Sequence, residues 1–229
     1  ENYLGFPNGI SGSALARRAA TQAKKFGVEI LSAQRVEQVR VEDPYRYVTL
    51  SDGSQLSCHA LLISTGVNTR QLEQPGIKKF SGAGVYYGAS LGEAMAYKDQ
   101  DVYIIGGANS AGQAALFFAR YARSVTMISR SSSLARSISD YLVKQIQTNE
   151  KIKVHDNSEV DRVEGSDRLE SITFTHRASG ESETRQAAAL FIFIGAVPRS
   201  ELVANVVERD RVGFILTGQD LVDEGRRPL

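Results

Sequence analysis

The sharpest change of hydrophobic period along the chain falls at Gly106-Gly107. Before it, Asp101–Ile105 is an apolar run; after it, Ala111, Ala114, Ala115, Phe118, Ala119 and Ala122 recur at i, i+3, i+4, i+7, i+8 and i+11, one continuous helical face. A buried strand, a glycine turn and a helix small enough on one side to pack close to a sheet are therefore predicted. A second strand is predicted at Val125–Ile128, then a helix over Leu134–Gln147 with Ile138, Tyr141, Leu142 and Ile146 inward, and a strand at Ile152–Val154. Strand patterns at Ser158–Glu164, Leu169–His176 and Glu183–Gln186 precede the apolar run Ala188–Ile194, which ends in Gly195 and Pro198. The order is βαβαβ, a small β-meander and a last buried strand, the pattern of a Rossmann-like α/β fold.

The N-terminal part reads differently. A helix capped by Ser11 or Ser13 runs to Lys25 through Leu15, Ala19, Ala20 and Ala23 and stops at Gly27. Short strands are predicted at Val28–Leu31, Arg35–Val41 and Tyr47–Leu50, with a turn at Asp52-Gly53 and a buried strand at Ala60–Ser64 that reaches Thr65-Gly66. Pro75, Gly76, Gly82 and Gly84, set among polar residues between Gln74 and Gly84, mark a domain boundary. Beyond Ser200 the pattern is mixed, and Val212–Leu216 is the only strand-like run.

Charge narrows the partners. With 27 basic and 26 acidic residues, net charge +1, the chain has no general attraction to nucleic acid or to an anionic membrane. It has no apolar stretch of the roughly 20 residues that a bilayer span requires, and no leader pattern, so it reads as cytoplasmic. A single cysteine, Cys58, cannot form an internal disulfide, and His59, His155 and His176 lack metal-ligand spacing, so no metal site is expected. The chain opens on Glu1 and reads as an excerpt of a longer protein.

The chemistry sits at the glycine turn. Gly106-Gly107-Ala108-Asn109-Ser110-Ala111 fits G-x-G-x-x-A except that Ala108 replaces the second key glycine. Backbone N–H groups there, with the positive end of the following helix, form a pyrophosphate cradle; the bland alternative is a turn that uses glycine for packing alone. Some twenty residues on, where an NAD site places an acid on the ribose 2′-OH, the chain reads Ser129-Arg130-Ser131-Ser132-Ser133. Arg130, Ser131, Ser132 and Arg136 suit a 2′-phosphate and favour NADP over NAD; the alternative is an exposed polar loop.

These segments together resemble the thioredoxin-reductase-like flavoproteins of the pyridine nucleotide-disulfide oxidoreductase superfamily. Glu1-Asn2-Tyr3-Leu4-Gly5-Phe6-Pro7 looks like the family's flavin-side loop, and Leu62-Ile63-Ser64-Thr65-Gly66 like the segment closing its FAD domain. Gly84-Val85-Tyr86-Tyr87 resembles the start of the nicotinamide domain, Gly106–Ala111 its phosphate turn, and Phe193-Ile194-Gly195-Ala196-Val197-Pro198 its exit. The resemblance implies residues 1–82 as a first FAD-domain segment, 83–199 as an NADPH domain and 200–229 as the start of the return into the FAD domain. It places Asn2, Ser64, Thr65 and Gly66 beside FAD, and Ile194 and Gly195 on the nicotinamide side of NADPH. A homodimer is the family expectation. Arg130 would be the first arginine of the family's phosphate clamp, with Ser129 and Ser131 in place of its neighbours.

One departure bears on activity. Where the family carries its Cys-Ala-x-Cys-Asp dithiol, this chain reads Gly88-Ala89-Ser90-Leu91-Gly92. Thiol–disulfide exchange requires a thiolate nucleophile and a resolving partner, and Gly88 and Leu91 supply neither. Glu93 is read either as a substitute for the lost acid or as a helix-start residue, and Tyr86 and Tyr87 as cofactor-stacking or core residues. The expectation is a flavin-dependent NAD(P)H oxidoreductase with an unknown electron acceptor. Two alternatives stand: an NADPH-binding sensor without turnover, and a disulfide reductase that uses cysteines outside this sequence.

Overall fold

The computed structural model describes residues 3–7 and 9–223. They divide into two compact units: a flanking unit, made of the residues up to Thr65 with those from Ser200 on, and an insert unit, Gly66–Arg199. In the flanking unit α1 (Gly12–Lys25) starts at the N-cap Ser11, whose Oγ accepts from the Ala14 N–H at 3.2 Å. Strands β1 (Val36–Glu42), β2 (Tyr45–Leu50) and β3 (Gln55–Cys58) form an antiparallel sheet in that order. Cys58 donates through Sγ to the Arg46 carbonyl across the β2–β3 pair, at 3.6 Å.

The insert unit opens with β4 (Val67–Thr69) and β5 (Val85–Tyr87), followed by the short α2 (Leu91–Ala96). Then come β6 (Asp101–Ile105), α3 (Asn109–Ala119), β7 (Ser124–Ile128), α4 (Asp140–Gln147) and β8 (Ile152–His155). The meander is β9 (Ser158–Glu164), β10 (Ser171–His176) and β11 (Ser182–Gln186), and the unit closes with β12 (Ala189–Ile192) and β13 (Ala196–Pro198). Back in the flanking unit, α5 (Gln219–Asp223) ends the described chain.

A five-stranded sheet in the order β5-β12-β6-β7-β8, with every pair parallel, is the spine of the insert. Both its faces are covered at the centre, so β12 and most of β6 and β7 are buried along their length rather than alternating. On one face α3 and α4 bury Ala111, Ala114, Ala115, Phe118 and Leu142 against Val102, Ile104, Val125, Met127 and Phe191. On the other, the meander packs Val160, Val163, Ile172 and Phe174 against Tyr103, Ile105, Leu190 and Ile192. Each fully buried large side chain contributes about 1.5–3 kcal/mol relative to exposure. Among the described residues, no helix is long and apolar enough to cross a membrane.

The structure corrects the sequence reading in five places. The domain boundary lies at Gly66, not near residue 82, because β4 pairs with β13, and Ile77 and Phe80, each 2 % exposed, are buried in the insert. Residues 60–64 form no strand; Leu62 is 91 % exposed, since no described strand lies alongside to pair with them. Val28–Leu31 is likewise exposed coil, and Val212–Leu216 contributes only an isolated bridge between Ile215 and Arg209. The predicted helix over 134–147 is a 3-10 turn at Leu134–Arg136 and then α4, with a break at Ser137–Ser139. Tyr141 points outward, and Val143 is buried with Leu142 and Ile146 instead.

Candidate functional site

Three loops leave the C-terminal ends of three adjacent parallel strands, in the sheet order β12-β6-β7. From β6 comes Gly106–Ala111, from β7 the segment Ser129–Arg136, and from β12 the segment Phe193–Gly195. The chain crosses the sheet in one direction through β5, β6, β7 and β8 and then returns to place β12 between β5 and β6, so the strand order reverses at the β12–β6 pair. The crevice outside the strand ends at such a reversal is where α/β sheets bind ligands.

Space requires the first glycine, and the second packs on a side chain. A Cβ on Gly106, whose φ is +150°, would meet the Phe193 carbonyl oxygen at 2.5 Å and the Ala111 Cβ at 2.9 Å. One on Gly107 would meet Ser129 Oγ at 2.5 Å. The first contact brings the β12 exit, with Ile194 and Gly195, against the turn; the second brings the β7 exit. Gly195 has φ +88°, and its carbonyl accepts from the Arg70 N–H at 3.1 Å. Ala108 stands at the N-cap of α3 with extended backbone, φ −117° and ψ 176°, and gives no side-chain cap. The N–H groups of Gly107 and Ala108 have no partner among the described residues, so both are available to an anion at the positive end of α3. Ser110 is exposed beside them.

At the β7 exit the position where an acid would read a ribose is Ser129, 2 % exposed, whose Oγ accepts from the Ser131 N–H at 3.2 Å. Ser131 donates its own hydroxyl proton to the Ser133 carbonyl at 2.9 Å, so it is a turn former here rather than a free donor. Arg130 and Arg136 are exposed, and their guanidinium groups make no hydrogen bond or ion pair among the described residues. They are the cations of the site. Asn109 is turned aside: its Oδ1 accepts from the Ser139 N–H at 2.8 Å.

The remaining candidates fall elsewhere. Tyr86 stacks on Phe191 with centroids 5.5 Å apart and hydrogen-bonds Tyr97 at 2.9 Å, while Tyr87 accepts from the Leu72 N–H at 2.9 Å. Both rings belong to the core. Burial first, and the bond to Tyr86 second, push the Tyr97 hydroxyl above its ordinary value. Glu93 bonds the Ser90 hydroxyl at the start of α2, which makes it a helix-start residue, and Leu91 is 58 % exposed on the same helix. Gly88 has open space around it. Ser64 and Thr65 are exposed and Gly66 adopts φ +71°, its carbonyl accepting from the Arg199 N–H at 2.9 Å; Asn2 lies outside the described residues. Sequence reasoning missed Ser137 and Ser139, which bond the cradle; two serines inside a helical pattern were the available signal.

A conserved-domain model for pyridine nucleotide-disulphide oxidoreductases matches residues 2–225. The chain is 34% identical over 216 residues to the bifunctional thioredoxin reductase/thioredoxin of Mycobacterium leprae, covering 94% of this chain and 46% of that protein. It is 33% identical over 215 residues to the thioredoxin reductase of Mycolicibacterium smegmatis, spanning 68% of its length. Among solved structures, Lactococcus lactis thioredoxin reductase in its FR conformation is similar with a TM-score of 0.78 at 27% identity, over 95% of this chain and 70% of that one. The chain therefore spans about half to two thirds of these proteins, and with its parallel sheet and glycine cradle it belongs to the pyridine nucleotide-disulphide oxidoreductase family.

Proposed function

We propose that this chain is the NADPH-binding insert, with flanking segments, of a flavin-dependent NAD(P)H oxidoreductase that has no redox dithiol at the family position. The observation that carries this reading is the convergence of three strand-end loops on a turn where the Phe193 backbone leaves Gly106 no room for a Cβ and the amides of Gly107 and Ala108 have no partner among the described residues. The Gly107 and Ala108 N–H groups, with the N-terminus of α3, bind the pyrophosphate, and the Ala108 methyl leaves less clearance than glycine would. Arg130 and Arg136 take the ribose 2′-phosphate through charge-assisted bonds. Ile194 and Gly195 border the nicotinamide side, and the family resemblance assigns Asn2, Ser64, Thr65 and Gly66 to the flavin.

When both cofactors are bound, NADPH supplies a hydride and FAD accepts it; the protein's part is to orient the rings and exclude water. Gly88 and Leu91 leave no thiol at the dithiol position, so the acceptor is a quinone, a second flavin, an iron protein or oxygen, or a disulfide reached through cysteines outside this sequence. The protein works in the cytoplasm as a homodimer.

Titration calorimetry of the chain with NADPH and NADH tests the reading. NADPH binds about tenfold or more tightly than NADH, and Arg130→Ala with Arg136→Ala removes that preference, as expected for loss of charged hydrogen bonds. Equal affinity for both nucleotides overturns the phosphate assignment. Anaerobic NADPH bleaches the flavin band of the complete protein if it turns over; an unchanged band supports the sensor alternative, which the Ala108 methyl and the absent dithiol favour.

A further inference from the structure

The break between the 3-10 turn and α4 is bonded to the cradle at two points. The Ser137 hydroxyl donates to the Gly107 carbonyl, and the Asn109 side-chain oxygen accepts both the Ser139 N–H at 2.8 Å and the Ser139 hydroxyl at 3.2 Å. Between the two serines Ile138 is 3 % exposed, and its Cγ2 and Cδ1 would each lie 3.4 Å from a Cβ on Gly112 of α3. The break is thus seated in the core from below and tied to the phosphate turn from above. Its preceding residue is Arg136.

A trans peptide holds its C=O and the following N–H antiparallel. By fixing the Gly107 carbonyl, Ser137 fixes the direction of the Ala108 N–H, one of the unpartnered amides of the cradle. Ser137 and Asn109 are themselves exposed, where a hydrogen bond adds little to folding stability. Their effect falls on the geometry of the turn.

We propose that Ser137 and the Asn109–Ser139 pair are positioning residues that lock the pyrophosphate cradle to the segment carrying Arg136, so that the grips on diphosphate and on 2′-phosphate are coupled. This rests on the reading of the site as an NADPH site. The coupling makes Ser137 a determinant of nucleotide preference although it touches neither phosphate.

A double-mutant cycle reads the coupling directly. Dissociation constants for NADPH and NADH are measured on the unsubstituted chain, Ser137→Ala, Ser137→Thr, Arg136→Ala and Ser137→Ala/Arg136→Ala. Ser137→Ala weakens NADPH about tenfold and NADH about threefold, the range of one hydrogen bond lost with and without a coupled charge. Ser137→Thr, which keeps the hydroxyl, stays within about twofold of the unsubstituted chain. In the Arg136→Ala background Ser137→Ala weakens both nucleotides equally. Should Ser137→Ala lower both affinities equally with Arg136 in place, or should Thr fail to restore NADPH binding at an unchanged unfolding midpoint, the lock is wrong while the NADPH site stands. Binding of neither nucleotide by the unsubstituted chain removes the proposed function and the lock with it. If Ser137→Ala loses its cooperative unfolding transition, Asn109→Ala in the same cycle gives the same discrimination.

Discussion

Two apolar runs of similar composition meet opposite fates in this molecule. Ala189–Ile192 becomes β12, paired on one side with β5 and on the other with β6, and none of its residues is more than 1 % exposed. Residues 60–64, in the flanking unit, form no regular element and pair with no described strand, and Leu62 is 91 % exposed. The helices repeat the contrast: α3 buries Ala111, Gly112, Ala114, Ala115, Phe118 and Ala119, whereas α1 buries none of its residues. An apolar pattern is only a capacity for burial. It becomes a strand or a packed helix where neighbouring elements satisfy its backbone groups and cover its face.

Three measurements break or sharpen this contrast. The largest effect is expected from Phe191→Ala, which empties a site stacked on Phe118 at 4.0 Å and on Tyr86 at 5.5 Å. It costs about 3–5 kcal/mol in urea unfolding, whereas Leu62→Ala stays within about 0.5 kcal/mol; comparable losses at the two sites would erase the distinction between the runs.

An intermediate effect separates two glycines. Gly106→Ala combines φ +150° with a 2.5 Å clash against Phe193, while Gly53→Ala in the flanking unit has φ +83° and open space. The first costs at least about 2–3 kcal/mol and abolishes nucleotide binding; the second costs about 1–2 kcal/mol, the strain of a left-handed alanine alone. Equal unfolding losses would mean that close packing at the cradle adds nothing.

The smallest effect belongs to His155 at the end of β8. Burial lowers its pKa from 6.5, more than the nearby Glu183 carboxylate raises it, with Arg185, Lys153 and His176 lowering it further. Because the folded value lies below the unfolded one, the stability it contributes is complete above about pH 6.5 and is lost as pH falls through the folded value. His155→Gln therefore flattens the decline of the thermal midpoint below pH 6.5, and an unchanged slope would place this histidine in solvent.

How much of the site was legible depended on whether its residues act through local sequence. The strand, turn and helix from Asp101 to Ala122 were readable because period and glycine spacing are local properties, and Gly106 proved sterically obligatory against the Phe193 backbone. The roles of Ser131 and Asn109 were not readable. A hydroxyl or amide can face a ligand or a neighbouring backbone, and here Ser131 donates to Ser133 while Asn109 accepts from Ser139, thirty positions away. The break at Ser137–Ser139 escaped for the same reason, since Ile138, Leu142 and Ile146 keep a helical apolar spacing on both sides of it. Residues 66–82 were placed in the wrong unit because Pro and Gly signal irregular chain, and irregular chain such as that around Ile77 and Phe80 can still be buried.

By itself the sequence determined the βαβ unit, its glycine turn and the absence of a second thiol, because these follow from periodicity, φ requirements and composition. Tertiary structure decided which apolar runs became strands, where the insert begins and which polar side chains remain free at the cradle. Those outcomes depend on what stands across the gap, and no local pattern encodes the partner of a hydrogen bond or the neighbour of a strand.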